Sequence, residues 1–128
     1  DNGCSPEASF EKLKEYQHDP SAGFRGHKAD IYEGGHRVPL IARWPARIKP
    51  ARTTQALACL TDIYATLEAI TGQAPQAIGG EDSYSLLPVF DGAVSSGRET
   101  LVSHSISGEF AIRRGDWKLC LCAGSGGW

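Results

Sequence analysis

The chain has 128 residues, 41% hydrophobic and 22% charged, with a formal net charge of -2 and a pI near 6.1. That length suffices for one domain with its own core, and the charge gives no electrostatic case for nucleic acid or an anionic membrane. No run of about 18 apolar residues occurs, so no helical membrane span is expected.

The chain starts on Asp1-Asn2-Gly3, and Asn2-Gly3 alone is a turn dipeptide. Ser5-Pro6 reads as an N-cap followed by proline at the first helical position, with Glu7 suiting the helix dipole. Phe10 and Leu13 then share one face of a short helix that ends before Asp19-Pro20. The stretch from Arg25 to Pro39 packs charges, His27, His36 and the pair Gly34-Gly35 into fifteen residues. The paired glycines mark a tight turn or a close backbone approach, and Val38 to Trp44 behind them reads as a strand buried on both faces.

Residues 48–54 form a surface connection. The clearest helix follows, with Thr61 as its cap, Asp62 in its first turn and Leu60, Ile63, Leu67 and Ile70 as an apolar stripe facing the core. Gly72 stops it. A loop over 73–85 leads to a short packed element at Leu86 to Phe90, and a strand begins at Leu101-Val102. Glu109 to Cys122 is expected to be a hairpin turning at Arg114-Gly115-Asp116, with Phe110, Ile112, Trp117, Leu119 and Leu121 alternating. The predicted class is α/β: the end of a sheet with flanking helices, followed by a small antiparallel sheet.

Cys4, Cys59, Cys120 and Cys122 match no zinc spacing and read as unpaired structural thiols, with a disulfide still open. The chain has no Met and its two ends look cut, so an internal piece of a longer polypeptide is expected; the missing signal peptide then says nothing of where the parent resides.

Chemistry has few places to live. Asp1 and Asn2 offer hard oxygen donors, but calcium takes roughly six to eight. Arg25, His27, Lys28, His36 and Arg37 form a cationic cluster beside glycines, which suits sulfate, phosphate or carboxylate, or else is a solvated basic loop. His18 and His104 are isolated and read as surface or packing residues. Ser5, Ser103 and Ser105 lack a nucleophile elbow.

Asp1-Asn2-Gly3, Arg25-Gly26-His27-Lys28, Glu33-Gly34-Gly35-His36-Arg37-Val38-Pro39, Trp44-Pro45, Leu60-Thr61-Asp62-Ile63 and Gly115-Asp116-Trp117-Lys118-Leu119 occur in that order. Together they resemble the C-terminal part of the formylglycine-dependent sulfatases, especially the arylsulfatase type, of the alkaline-phosphatase-like superfamily. The resemblance implies that residues 1–92 are the C-terminal portion of an α/β catalytic domain and 93–128 the start of a small antiparallel subdomain. It implies hydrolysis of aryl or carbohydrate sulfate esters, a calcium site that Asp1 and Asn2 partly supply, and sulfate binding by Lys28, with Glu33 to Arg37 shaping the loop. It also implies a periplasmic or secreted parent.

No Cys/Ser-x-Pro/Ala-x-Arg motif, from which the family makes its formylglycine, occurs here. Cys4-Ser5-Pro6-Glu7 lacks the arginine and the spacing. The fragment alone is therefore expected to be inactive. A phosphoesterase of the same fold and a noncatalytic sulfatase-like domain are the alternative readings, and the sequence leaves substrate and oligomeric state open.

Overall fold

A computed structural model describes residues 2–49, 52–74 and 79–128. Its elements are a 3-10 turn at Pro6–Ala8, helices α1 (Phe10–Glu15), α2 (Glu33–His36), α3 (Asp62–Thr71) and α4 (Leu87–Asp91), and strands β1 (Thr100–His104), β2 (Phe110–Arg114) and β3 (Trp117–Cys120). The chain forms two compact units, one of Asp1–Leu40 with Val102–Trp128 and one of Ile41–Leu101. Helices with a small antiparallel sheet near the end agree with the predicted class.

In the first unit Ser5 caps the 3-10 turn, its hydroxyl accepting the Glu7 N–H. Ser9, at φ 57, then separates that turn from α1. The three strands lie in the order β1-β2-β3. β2 and β3 pair antiparallel with Ala111 opposite Cys120 and Arg114 opposite Trp117, which leaves the two-residue loop Gly115-Asp116. Gly115 takes the positive φ that such a tight hairpin needs.

The core of this unit is small: Ile31, which is fully buried, and Ala111, with Asp30 and Ser105 buried beside them. The glycine-rich end packs against it. The Ile31 N–H donates to the Ser125 carbonyl (2.7 Å) and the Ser107 N–H to the Gly126 carbonyl (3.2 Å). A Cβ on Gly126 would overlap the Ser105 side chain, and one on Gly127 the Asp30 carboxylate. Glycine stands there because the backbone approaches closely.

The second unit is centred on a charge. Asp62 is 0% exposed and accepts the Cys59 N–H (2.9 Å), the Tyr84 N–H (3.0 Å) and two donors of Arg98. Thr66 donates to the Asp62 carbonyl (2.6 Å) and accepts the Leu86 N–H (2.9 Å). Leu86, Leu87 and Val89 supply the apolar part. The C-terminus of α4 is closed by Gly92 in the left-handed region and by Arg52, which donates to the Val89 carbonyl at 2.6 Å.

Three expectations are corrected. Val38 to Trp44 has no ladder partner and is largely exposed, Ile41 at 89%; a strand of this kind forms only between neighbours that complete its hydrogen bonds and cover its faces. The stripe Leu60, Ile63, Leu67 and Ile70 faces outward, while Asp62 and Thr66 face in. Apolar spacing locates a face but does not say which face is covered, and here the buried Arg98 guanidinium draws Asp62 inward. Thr61 makes no side-chain cap; the Asp62 carboxylate takes the Cys59 N–H instead.

The hairpin repeats the inversion, with Phe110, Ile112, Trp117 and Leu119 exposed and Ala111, Arg113, Lys118 and Cys120 on the inner face. The four cysteines are unbonded thiols, and no described helix is long and apolar enough to cross a membrane.

Candidate functional site

The segment from Arg25 to Arg37 is fixed by backbone. The Gly34 N–H donates to the Arg25 carbonyl (2.8 Å), the Gly35 N–H to the Tyr32 carbonyl (3.0 Å) and the Gly3 N–H to the Gly35 carbonyl (2.9 Å). Both glycines are buried in α2. A Cβ on Gly34 would overlap the Gly26 carbonyl, and one on Gly35 the Asp30 carbonyl. Of the two readings of this pair, close backbone approach holds: neither residue has a positive φ.

Lys28 sits in a tight turn, where the Asp30 N–H donates to the His27 carbonyl (3.0 Å) and Ala29 takes φ 84. A positive φ at the third residue of a turn favours glycine, so alanine stores strain beside the lysine. The turn is held from both sides. The Lys28 N–H donates to the Cys4 carbonyl and the Ile106 N–H to the Ala29 carbonyl, each at 3.0 Å. The buried Asp30 carboxylate accepts the His27 N–H at 2.9 Å. Among the described residues no side-chain bond or ion pair engages the Lys28 ammonium, so its charge stays available to an anion.

Two backbone bonds, Gly3 to Gly35 and Lys28 to Cys4, bring the Asn2-Gly3-Cys4 stretch alongside the Lys28 turn. Asn2 is exposed there. Asp1 lies outside the described residues.

Glu33, at the start of α2, gathers the other cations. Its carboxylate accepts from Arg113 (2.8 Å) and Lys118 (3.2 Å) and lies 3.6 Å from Arg37. Desolvation raises its pKa, but the Lys118 hydrogen bond and the charges of Lys118, Arg113 and Arg37 outweigh that and hold it below its ordinary value of 4.5. His36, at the other end of α2, is pushed below 6.5 by burial and then by the Lys118 cation. Its Nε2 is buried without a hydrogen-bond partner. Arg25 lies over the Tyr32 ring at 3.8 Å and Arg37 over Phe24 at 4.8 Å.

The predicted cationic cluster thus divides. Arg25 and Arg37 are taken up by aromatic rings and Glu33, and His36 is half-buried with its Nε2 enclosed, so Lys28 is the member whose ammonium is left for a ligand. Sequence reasoning missed the pairing of Glu33 with Arg113 and Lys118, about 80 positions away. Lys118 between Trp117 and Leu119 in an alternating strand was the available signal. The strained Ala29 left no signal in residue type.

The oxygen donors Asp1 and Asn2 suit a hard cation such as calcium. Two donors fall short of the roughly six to eight that calcium takes, and among the described residues no group of three or more His, Cys, Asp or Glu could hold a metal.

No family model matches the chain. It is 37% identical over 118 residues to an N-acetylgalactosamine-6-O-sulfatase of Bacteroides thetaiotaomicron, covering 92% of this chain and 22% of the relative. It is 36% identical over 96 residues to human arylsulfatase A, covering 71% of this chain and 18% of the relative. A solved structure, described in connection with the metabolism of multiple glycosaminoglycans by Bacteroides thetaiotaomicron, superposes with a TM-score of 0.78 at 37% identity, over 88% of this chain and 23% of that one.

The relatives and the superposed structure agree on one class of protein. The chain belongs to the sulfatase family, and it spans about a fifth of the length of the relatives it matches.

Proposed function

We propose that this chain contributes the sulfuryl-binding loop and part of the calcium site to an enzyme that hydrolyses sulfate esters. The supporting observation is the Lys28 turn: a lysine held at a strained corner, with no ion pair among the described residues, beside the stretch that carries Asn2. None of the relatives above is a phosphoesterase, and the noncatalytic reading has no observation of its own.

In this reading Lys28 binds a sulfuryl oxygen and stabilises the negative charge that develops on the leaving oxygen. A compact ammonium fixed in place needs no reorganisation at the moment of reaction. Asp1 and Asn2 would give two oxygen donors to a calcium ion, which would supply Lewis-acid neutralisation of the sulfuryl group when bound. Glu33 keeps α2 against the hairpin, and its lowered pKa keeps it ionised for that task. The nucleophile, a formylglycine in the resembling family, is expected outside the residues of this chain.

The test is sulfate release by the full-length protein that carries this segment. Lys28→Ala is expected to lower kcat by about 10²–10³, the loss typical of one transition-state charge stabiliser. Retention of kcat within threefold in that variant would remove Lys28 from the chemistry. The 128-residue chain alone is expected to release no sulfate, and turnover by it would overturn the division of the site.

A further inference from the structure

Among the described residues two acidic side chains are buried, Asp30 and Asp62. Asp62 is met by the Arg98 guanidinium. Asp30, 6% exposed, has no Lys or Arg ion pair among the described residues, and the group that comes nearest to one is the His27 ring, its Nδ1 3.6 Å from Oδ2. Burying a carboxylate without a firm counter-charge is unfavourable, and this one lies two positions from Lys28. We propose that Asp30 is a positioning residue that closes the His27–Asp30 turn and so aims the Lys28 ammonium at the sulfuryl group. The proposal rests on the sulfate-ester reading above and extends it from the lysine to the group that holds it.

Asp30 holds His27 by both of that residue's backbone groups. Its Oδ2 accepts the His27 N–H at 2.9 Å, and its own N–H donates to the His27 carbonyl at 3.0 Å. Lys28 and Ala29 are thus the corner of a turn closed twice between the same two residues. Ala29, at φ 84, fits the third position of a type II turn but is strained there because it carries a Cβ. The corner keeps its shape only while the closures outweigh that strain.

The carboxylate has no room to swing away. A Cβ on Gly26 would lie 2.8 Å from Oδ2, and one on Gly127 would overlap Oδ1, so two stretches of backbone clamp the side chain. The bonds from outside, Lys28 N–H to the Cys4 carbonyl and Ile106 N–H to the Ala29 carbonyl, tether the corner without fixing its internal angles. Loss of the Oδ2 acceptor leaves a single closure and lets Ala29 relax, which moves the stem of Lys28. A misplacement of about 1 Å can lower a rate about 10²-fold.

A purely structural role and a positioning role part company when Lys28 is absent. The first lowers the folded fraction whatever stands at position 28. The second acts through the ammonium and vanishes with it.

The test measures sulfate release by the full-length protein from N-acetylgalactosamine 6-sulfate and from 4-nitrophenyl sulfate. Asp30→Ala is expected to lower kcat about tenfold to a hundredfold, with KM within threefold. In the Lys28→Ala background the same change is expected to lower kcat less than twofold, because residues that act as a unit are not additive. Asp30→Asn keeps an oxygen acceptor for the His27 N–H and is expected to recover most of the loss. Asp30→Leu, similar in shape and without an acceptor, repeats the cycle if Asp30→Ala does not fold.

A full additional loss on top of Lys28→Ala overturns the proposal, and so does an Asp30→Asn rate no better than that of Asp30→Ala. Unchanged kcat in Asp30→Ala beside a large loss in Lys28→Ala removes Asp30 alone and leaves the sulfate-ester reading standing. If Lys28→Ala keeps its rate, or the unaltered protein releases sulfate from neither compound, that reading falls and takes the role of Asp30 with it.

Discussion

Two acidic side chains organise the two units, and they do it differently. Asp62 is sealed: fully buried, paired to Arg98 and bonded to two backbone N–H groups. Glu33 stays partly open, sharing its carboxylate among Arg113, Lys118 and Arg37. A sealed pair tolerates no ligand and serves as scaffold. An open one anchors a loop whose neighbouring cation, Lys28, remains available, and the proposed chemistry falls in that unit.

The sharpest way to break this contrast is Arg98→Leu. It leaves the Asp62 carboxylate buried without its counter-charge and is expected to cost about 3–5 kcal/mol, read as a fall in the urea midpoint. Restoration of most of that loss by the double variant Asp62→Leu with Arg98→Leu would show that the pair serves packing rather than net attraction. Glu33→Gln should cost less, about 1.5–3 kcal/mol for hydrogen bonds to charged groups. In the full-length protein it should also lower sulfate release, because α2 loosens behind the Lys28 turn. A variant with unchanged midpoint and unchanged turnover would leave Glu33 with no anchoring role.

pH sharpens the comparison further. The folded His36 pKa lies below its unfolded value of 6.5, so its contribution is present above 6.5 and is lost as pH falls toward the folded value. The folded Glu33 pKa lies below 4.5, so its contribution is present above 4.5 and is lost as pH falls through the folded value. Stability should therefore fall in two steps on acidification. Glu33→Gln should shrink the lower step, to which Asp19, Glu81 and Asp91 also contribute through their own lowered pKa values, and deepen the upper one, since the Glu33 charge opposes the lowering of the His36 pKa. A single step common to both proteins would contradict this. The smallest effect belongs to Ala29→Gly, expected to gain about 0.5–1 kcal/mol by relieving the left-handed alanine; a loss of stability there would mean that the methyl group packs.

Local chemistry was legible in the residues wherever it is short-range. Ser5-Pro6 did start a helical turn, Gly72 did end α3 in the left-handed region, and Gly115-Asp116 did turn the hairpin. Lys28 and Asn2 could be singled out, and the structure brings their two stretches together. What could not be read was which face each amphipathic element buries. The Ile63 stripe and the Trp117 face are each correct in spacing and exposed in the structure, since periodicity carries no information about the layer that covers it. The Glu33 network escaped for another reason: ion pairs some 80 positions apart depend on the hairpin register.

Those exposed faces have a thermodynamic consequence. Unfolding raises the heat capacity because apolar surface enters water, by about 12–15 cal/mol/K per residue in ordinary globular proteins. In this chain Trp117 is already 84% exposed and Ile41 89%, so much of that surface is hydrated before any unfolding. The heat-capacity increment of the 128-residue chain should fall below the usual range. Its stability curve should be correspondingly flat, with cold weakening it little more than moderate warmth.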